Sequence, residues 1–147
     1  MKKLTGIFAA LMMVVFISSC DKDEKIAIDQ LPSAAQVFLD EHFASQPVVS
    51  LRKDKDGRSG LEYEARLDSG IEITFDQDGS WQEADAPDNV ALPTSFILPS
   101  IVNYVAAEYP NIGINNIDRE VQGFDVELTN NVDLIFDTQG NFVRIDR

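Results

Sequence analysis

The chain has 147 residues, of which 25 are Asp or Glu and 12 are Lys or Arg, so its formal net charge at pH 7 is −13. This excess of negative charge argues against nucleic acid as a partner, because each phosphate contact needs a Lys or an Arg. It argues equally against docking on an anionic lipid surface. Solubility is the simplest consequence of the charge, and a cationic partner is the alternative.

The first nineteen residues are predicted to be a lipoprotein signal peptide. Lys2 and Lys3 precede an apolar stretch, residues 7–17, that is too short to span a bilayer comfortably. Ile17-Ser18-Ser19-Cys20 then resembles a bacterial lipobox, whose cysteine is acylated and becomes the first residue of the mature protein. An ordinary secretory signal is the alternative, but Cys20 is the only cysteine and stands where a lipobox needs it. Lipidation of Cys20 is therefore predicted, and loss of the two lysines would change the formal net charge to −15.

Residues 20–30 are predicted to be a short lipidated tether. Asp21-Lys22-Asp23-Glu24 resembles the tag that one large group of Gram-negative bacteria uses to send lipoproteins to the cell surface, although a solvated charged tether would look the same. The sequence thus predicts a cell-envelope protein anchored to the outer membrane by acyl chains, and it leaves open whether the protein faces the periplasm or the cell surface.

Two amphipathic helices are predicted, each opened by a Leu-Pro-Ser sequence that suits the first helical turn. The first begins at Leu31-Pro32-Ser33 and places its apolar residues three and four positions apart, ending before Gln46-Pro47. The second begins at Leu98-Pro99-Ser100 and ends at Pro110.

After each helix the apolar period changes to two, which predicts antiparallel strands with one covered and one solvated face. The first set is predicted at Val48–Lys53, Leu61–Leu67, Ile71–Phe75 and Ser80–Glu83, with a Gly-rich hairpin tip before Leu61. Residues 63–79 recur in size and polarity 61 positions later, as residues 124–140, so the same order is predicted again.

The predicted fold is therefore α+β: a tandem repeat of one helix plus four antiparallel strands, with the helices on one face of a curved sheet. The first repeat spans residues 31–86 and the second spans 92–147. A unit of about 60 residues buries only about 60% of the surface of its unfolded chain, so one repeat alone would be marginal and one combined domain over residues 28–147 is expected.

The turn Asp76-Gln77-Asp78-Gly79 decides which way a tryptophan points. Asp at the first position of a type I turn and Gly in the left-handed position predict a three-residue loop with a bulge. Such a loop pairs Phe75 with Trp81 and points both toward the helices. Trp81 and its counterpart Phe142 are therefore predicted to lie in the core.

The open sheet face is then predicted to carry polar side chains and to be the surface that binds a partner. The predicted partner-binding residues are Glu62, Glu64, Arg66, Glu72, Thr74, Asp125, Glu127, Asp133 and Ile135.

No catalytic residue, metal site or cofactor is predicted. The Asp-x-Asp-Gly runs at Asp54 and Asp76 lack the bidentate Glu that a calcium loop needs at its twelfth position, which favours hairpin turns. His42 is the only histidine and lies on the apolar stripe of the first helix, which favours packing over catalysis or metal binding. The many carboxylates stand at polar strand positions, where solvated side chains are expected.

The repeated pattern resembles the β-lactamase-inhibitor-like, PepSY-like family of bacterial envelope proteins. The resemblance covers residues 28–147, with mild departures at Asn131 and Phe142. The motifs that carry it are Leu31-Pro32 with Phe43, Tyr63-Glu64-Ala65-Arg66-Leu67, Gly70-Ile71-Glu72-Ile73-Thr74-Phe75, Asp76-Gln77-Asp78-Gly79-Ser80-Trp81 and their second copies. It implies a helix-plus-strand unit in tandem whose sheet forms a concave face, which in β-lactamase inhibitor proteins grips an enzyme.

The predicted function is that of a non-catalytic, lipid-anchored envelope protein that binds a protein or peptide partner, with inhibition as one form of such binding. One alternative is a small-ligand carrier or hydrolase that uses acidic residues between the repeats. Another is a structural accessory subunit of an envelope system. A monomer is expected.

Overall fold

The computed structural model describes residues 23–58 and 60–146. The predicted signal peptide, Cys20 and the first part of the predicted export tag lie outside the described residues. The elements, in chain order, are β1 (Asp23–Lys25), α1 (Ser33–His42), β2 (Val48–Gly57), β3 (Gly60–Leu67), β4 (Glu72–Asp76), β5 (Trp81–Asp85), α2 (Pro99–Glu108), β6 (Ile114–Glu120), β7 (Gly123–Leu128), β8 (Asp133–Asp137) and β9 (Phe142–Asp146).

The strands form one antiparallel sheet in which β1 to β9 lie side by side in chain order. The predicted α+β fold of tandem helix-plus-four-strand repeats is therefore wrong: the described chain is mostly β, with two short α-helices on a nine-stranded sheet. No boundary separates two units, because β5 pairs with β6 through Ala84 opposite Ile117. Periodicity predicted the strands but could not show that their ladder runs without interruption.

Part of the predicted tether belongs to the sheet. Asp23–Lys25 is β1, and it pairs with β2 so that Glu24 lies opposite Lys53. A short 3-10 helix, Ile28–Gln30, then leads to α1. This end of the chain therefore contributes an edge strand that neither predicted repeat contained.

The core is built on a row of small and branched side chains that crosses the sheet on one face. Paired residues in this row are almost completely buried, because directly opposite residues of antiparallel strands point to the same face. The row consists of Ala65, Ile73, Ala84, Ile117, Val126 and Leu134.

Both helices pack on this face of the sheet. Phe38 of α1 contacts Phe75 edge to face, with ring centroids 5.5 Å apart, and Tyr104 of α2 contacts Phe136 at the same distance. The opposite face, which we call the open face, is covered by neither helix. Among the described residues, no helix has the length and apolar character needed to cross a membrane.

The predicted bulged turn is confirmed. The Gly79 N–H donates to the Asp76 carbonyl, the Asp76 N–H donates to the Ser80 carbonyl, and Gly79 has φ +85°. A register shift follows, so that Phe75 lies opposite Trp81. Trp81 is 8% exposed, which confirms its predicted place in the core.

The same turn at Gly140 pairs Phe136 with Phe142, but Phe142 is 36% exposed. The prediction that Phe142 is a core residue is therefore wrong. It stacks on Tyr104 at 4.6 Å, yet it stands on β9, which is the last strand of the sheet and has a neighbour on one side only.

A buried amide joins the two halves of the sheet. Asn115 of β6 is 6% exposed, and its side-chain N–H groups donate to the carbonyls of Ala86, Pro87 and Val90 at 3.2, 2.9 and 2.8 Å. Because buried carbonyls need donors, this amide fixes the connection that follows β5 against the next strand.

Candidate functional site

The predicted partner-binding residues lie on the open face in two groups. The first group lies on strands β3 and β4. Its cross-strand pairs are Glu62 with Asp76, Glu64 with Thr74, and Arg66 with Glu72. In the second group, on β7 and β8, Asp125 lies opposite Ile135 and Glu127 lies opposite Asp133.

Strands β5 and β6 lie between these groups and supply acids that the sequence prediction missed. Glu83 lies opposite Asp118, and Asp85 lies opposite Asn116. The register shift between Thr74 and Phe75 turns Glu83 to the open face, and only the β5–β6 pairing shows that these acids join the two groups into one surface. A single row therefore runs across the open face: Glu64, Thr74, Glu83, Asp118, Asp125 and Ile135.

An arginine from the hairpin tip reaches into this acidic row. The Arg58 guanidinium donates to Asp118 at 2.7 Å and to Glu120 at 3.1 Å, although β6 lies three strands beyond β3. Arg58 itself is 63% exposed, whereas the Asp118 side chain is 14% exposed. The long β2–β3 hairpin thus places the arginine at its tip over the middle of the open face.

A depression of about 360 Å³ lies beside this contact, lined by Arg58, Thr74, Glu83 and Asp118 among others. A second depression, of about 470 Å³, lies over Glu64, Arg66 and Glu72. A third depression, of about 510 Å³, lies away from this face, between the end of α1 and β2. The acidic surface therefore carries two separate depressions that are open to solvent.

Burial, together with the charge of neighbouring carboxylates, raises the pKa values of three acids on the open face. Burial raises the pKa of Glu83, and the negative charge of Asp118 raises it further, against a hydrogen bond from Asn116. Burial likewise raises the pKa of Asp125, with further contributions from Glu120 and Asp118.

Glu64 shows the same effect in the first group, where burial and the charge of Glu72 raise its pKa. A positive charge placed on this face would reverse these shifts, because it favours the ionised form of a carboxylate. The electrostatic arrangement therefore suits a cationic ligand.

The two Asp-x-Asp-Gly runs are hairpin features, as predicted. The Asp54 carboxylate accepts the N–H of Asp56, and the Asp76 carboxylate accepts the N–H groups of Asp78 and Ser80. Within residues 23–58 and 60–146, no group of three His, Cys, Asp or Glu residues is arranged to hold a metal ion.

His42 packs at the end of α1, as predicted. Its ring lies 4.8 Å from Phe38 and 5.7 Å from Phe96, and its Nδ1 is 2.9 Å from the Ser95 hydroxyl. These contacts join α1 to the connection between β5 and α2 and account for a histidine on an apolar stripe.

Comparison with known proteins supplies a family and a set of similar structures. Residues 61–144 match the sequence profile described as "Putative beta-lactamase-inhibitor-like, PepSY-like". No functionally curated protein matches the chain.

A solved structure from Bacteroides thetaiotaomicron, described as a "putative calcium-regulated periplasmic protein", is 31% identical with a TM-score of 0.80 and covers 86% of this chain and 98% of its own. A periplasmic protein of the DUF2874 family from Bacteroides vulgatus is 30% identical with a TM-score of 0.77, covering 87% and 99%. A third structure, also from Bacteroides vulgatus and described as a periplasmic protein of unknown function, is 29% identical with a TM-score of 0.78, covering 85% and 99%.

Proposed function

We propose that this chain, which belongs to the β-lactamase-inhibitor-like, PepSY-like family, is a non-catalytic envelope protein. Its open face binds a cationic segment of a protein or peptide partner. The observation that carries the proposal is the row of side chains across the open face, in which Glu83, Asp118 and Asp125 are three consecutive acids. The periplasmic descriptions of the similar structures support a location in the cell envelope.

The physical basis is the unfavourable concentration of negative charge on a pleated surface. Asp118 draws Arg58 across three strands, and the pKa of Glu83 is raised by its burial and by Asp118. An arginine or lysine from a partner would relieve this repulsion and donate hydrogen bonds to the carboxylates. A guanidinium can donate to two acceptors at once. In an extended segment alternate side chains point to the same side, so arginines at every second position would all face the row.

Binding of a synthetic peptide that alternates arginine and valine tests the proposal directly. The double variant Glu83→Gln with Asp125→Asn should weaken binding at least about fivefold, because both carboxylates lie in the row and their neutralisation removes attraction without adding a clash. Isothermal titration at roughly physiological ionic strength provides the affinity.

The matched control is Asp40→Asn with Glu41→Gln, which removes the same number of charges from the exposed side of α1. It should change the affinity by less than about twofold if the open face is the site. Equal losses in the two double variants would show that the peptide responds only to net charge, and the proposal would then be abandoned.

Arg58 offers a test with the opposite sign. Arg58→Ala removes the guanidinium that occupies Asp118 and Glu120. The arginine peptide should then bind more tightly, by about threefold or more, because an internal competitor is gone. Weaker binding by this variant would argue against the open face as a cation site.

The proposed anchor is an acylated Cys20, as the lipobox-like sequence predicts. Cys20→Ser should move the protein from the membrane fraction to the soluble fraction of the envelope, because acyl chains supply the membrane affinity. Retention of this variant in the membrane fraction would refute lipid anchoring and leave the open-face proposal untouched.

A further inference from the structure

The last strand of the sheet, β9, exposes three large apolar side chains. Phe142, Val143 and Ile145 of β9 are 36%, 56% and 45% exposed. Among the described strands, β9 has β8 on one side and no neighbour on the other. An unpaired strand edge with apolar side chains is a surface that another strand can join.

The opposite edge of the sheet is protected by contrast. The described residues of its outermost strand, β1, are Asp23, Glu24 and Lys25, and all three are charged and exposed. Charged side chains on an edge strand discourage pairing with other chains. The difference between the two edges indicates that β9, and not β1, is the edge available to a second chain.

Strand β5 shows how a neighbouring strand covers the edge that β9 leaves unpaired. Each of β5 and β9 follows the bulged turn, and Ala84 lies opposite Ile73 as Ile145 lies opposite Leu134. On its other side β5 meets β6, which places Ile117 against Ala84. Ala84 is completely buried, whereas Ile145 lacks such a neighbour.

Backbone geometry extends this correspondence. The Ala86 N–H donates to the Asn115 carbonyl at 3.0 Å, and alternate residues of a strand direct their hydrogen-bonding groups to the same side. Ala84 therefore directs its N–H and carbonyl toward β6. Ile145, in the corresponding place, directs these groups outward to the free edge.

We propose that β9 pairs antiparallel with β9 of a second copy of this chain, with the two Ile145 residues opposite each other. This register puts an apolar side chain against Ile145 on the helix side of the sheet. On the open face it puts Arg144 of each copy opposite Asp146 of the other. The strand is thus complementary to itself in both packing and charge, and the two open faces become one continuous surface.

The existing ion pair fits this arrangement. Arg144 and Asp146 already contact each other within β9, because residues two apart share a face of the strand. Pairing across the dyad would surround each charge with two of opposite sign. The net charge of −13 opposes association of two copies, so the complementary charges at the edge matter for the balance.

A single cysteine at the dyad tests the proposal in the full-length chain. In hydrogen-bonded antiparallel pairs the opposed Cα atoms lie about 5.5 Å apart, which is within the range that a disulfide spans. Ile145→Cys should therefore give a disulfide-linked dimer under mild oxidation, measured on a non-reducing gel.

Two controls define the background of this experiment. The parent chain shows any crosslinking through Cys20, its only cysteine. Val121→Cys, at a position that is 95% exposed in the β6–β7 turn, shows the yield from random collision. Ile145→Cys should exceed Val121→Cys by about fivefold or more, because only the former is held within disulfide range. Equal yields would overturn the proposal.

Charge reversal tests the register. In the Ile145→Cys background, Arg144→Asp should lower the dimer yield by about threefold or more, because like charges then face each other twice. The double variant Arg144→Asp with Asp146→Arg should restore the yield. The same dimer yield in all three proteins would refute the register and with it the proposal.

A measurement without cysteine covers the case in which Ile145→Cys lowers the thermal midpoint. The full-length protein in detergent should sediment as a dimer, and Ile145→Pro should sediment as a monomer with an unchanged fold, because proline is tolerated where a strand N–H faces outward. A monomeric parent protein would overturn the proposal. None of these measurements depends on the proposed binding of a cationic partner.

Discussion

Strands β5 and β9 show how one local sequence pattern gives two different environments. Each follows an Asp-x-x-Gly turn, and each begins with an aromatic residue opposite a buried phenylalanine. Trp81 of β5 is nevertheless buried, while Phe142 of β9 is substantially exposed. The turn fixes the direction of the side chain, but the neighbouring strand decides whether the side chain is covered.

The second residues of strands β2 and β6 show the same principle. Val49 of β2 is 60% exposed and stands one residue into the strand, as Asn115 does in β6. Asn115 is buried because the chain leaving β5 passes over it and offers three carbonyls. A polar residue is buried in one strand and an apolar residue is exposed in the other, so the surroundings outweigh hydrophobicity at this position.

The largest expected effect separates Trp81 from Phe142. Trp81→Ala should lower the free energy of unfolding by about 3–5 kcal/mol, because a large buried side chain leaves a cavity. Its contacts with Phe38, Phe96 and the guanidinium of Arg119, which lies 4.2 Å from the ring centroid, would all be lost. Chemical denaturation provides the measurement.

Phe142→Ala is the matched variant for this comparison. It should cost about 1–2 kcal/mol, since the ring is partly solvated and its main contact is Tyr104. Equal losses at the two positions would mean that Phe142 is covered as completely as Trp81 in solution, and the contrast between the two aromatic residues would have to be withdrawn.

The second effect separates Asn115 from Val49. Asn115→Ala should cost about 2 kcal/mol, because carbonyls of the connection after β5 would remain buried without a donor. Val49→Ala should change the free energy of unfolding by less than about 0.5 kcal/mol, as expected at an exposed site. A neutral Asn115→Ala would indicate that water replaces the amide and that the connection is not held by it.

Local features were predictable from the sequence where a short motif determines the geometry. The Leu-Pro-Ser sequences start α1 and α2 within a residue or two of the predicted positions, and the Asp76 turn orients Trp81 as expected. These features depend on proline, glycine and an aspartate side chain, which act on their immediate neighbours.

Features that depend on strand neighbours were not predictable in the same way. The pairing of β5 with β6 overturned the two-unit architecture and supplied Asp118 and Glu83 to the open face. The reach of Arg58 to Asp118 joins residues 60 positions apart and has no local signature. Sequence periodicity assigns a residue to a face, whereas pairing between strands determines which residues share it.

The smallest expected effect concerns the two turns themselves. In the second turn, the Asp137 carboxylate accepts hydrogen bonds from the side chain and backbone of Asn141 and from the backbone of Gln139, and these bonds lower the pKa of Asp137. The first turn has Ser80 where the second has Asn141, and the Ser80 N–H donates to Asp76 at 2.9 Å. Asp76 receives its side-chain amide donor from Gln82, at 3.2 Å, so the two turns differ in which residue supplies that donor.

Asn141→Ser should raise the pKa of Asp137 toward its ordinary value, because the side-chain amide donor is lost while the backbone donors stay. A carboxylate with a depressed folded-state pKa adds stability above its unfolded value, near pH 4, and this stability is lost as the pH falls through the folded value. Thermal midpoints of the parent and Asn141→Ser should therefore differ most near neutral pH and converge in acid, with the parent the more stable. An Asp137 carboxyl that titrates identically in the two proteins, followed by NMR, would show that the amide contributes nothing and that backbone donors alone make this turn.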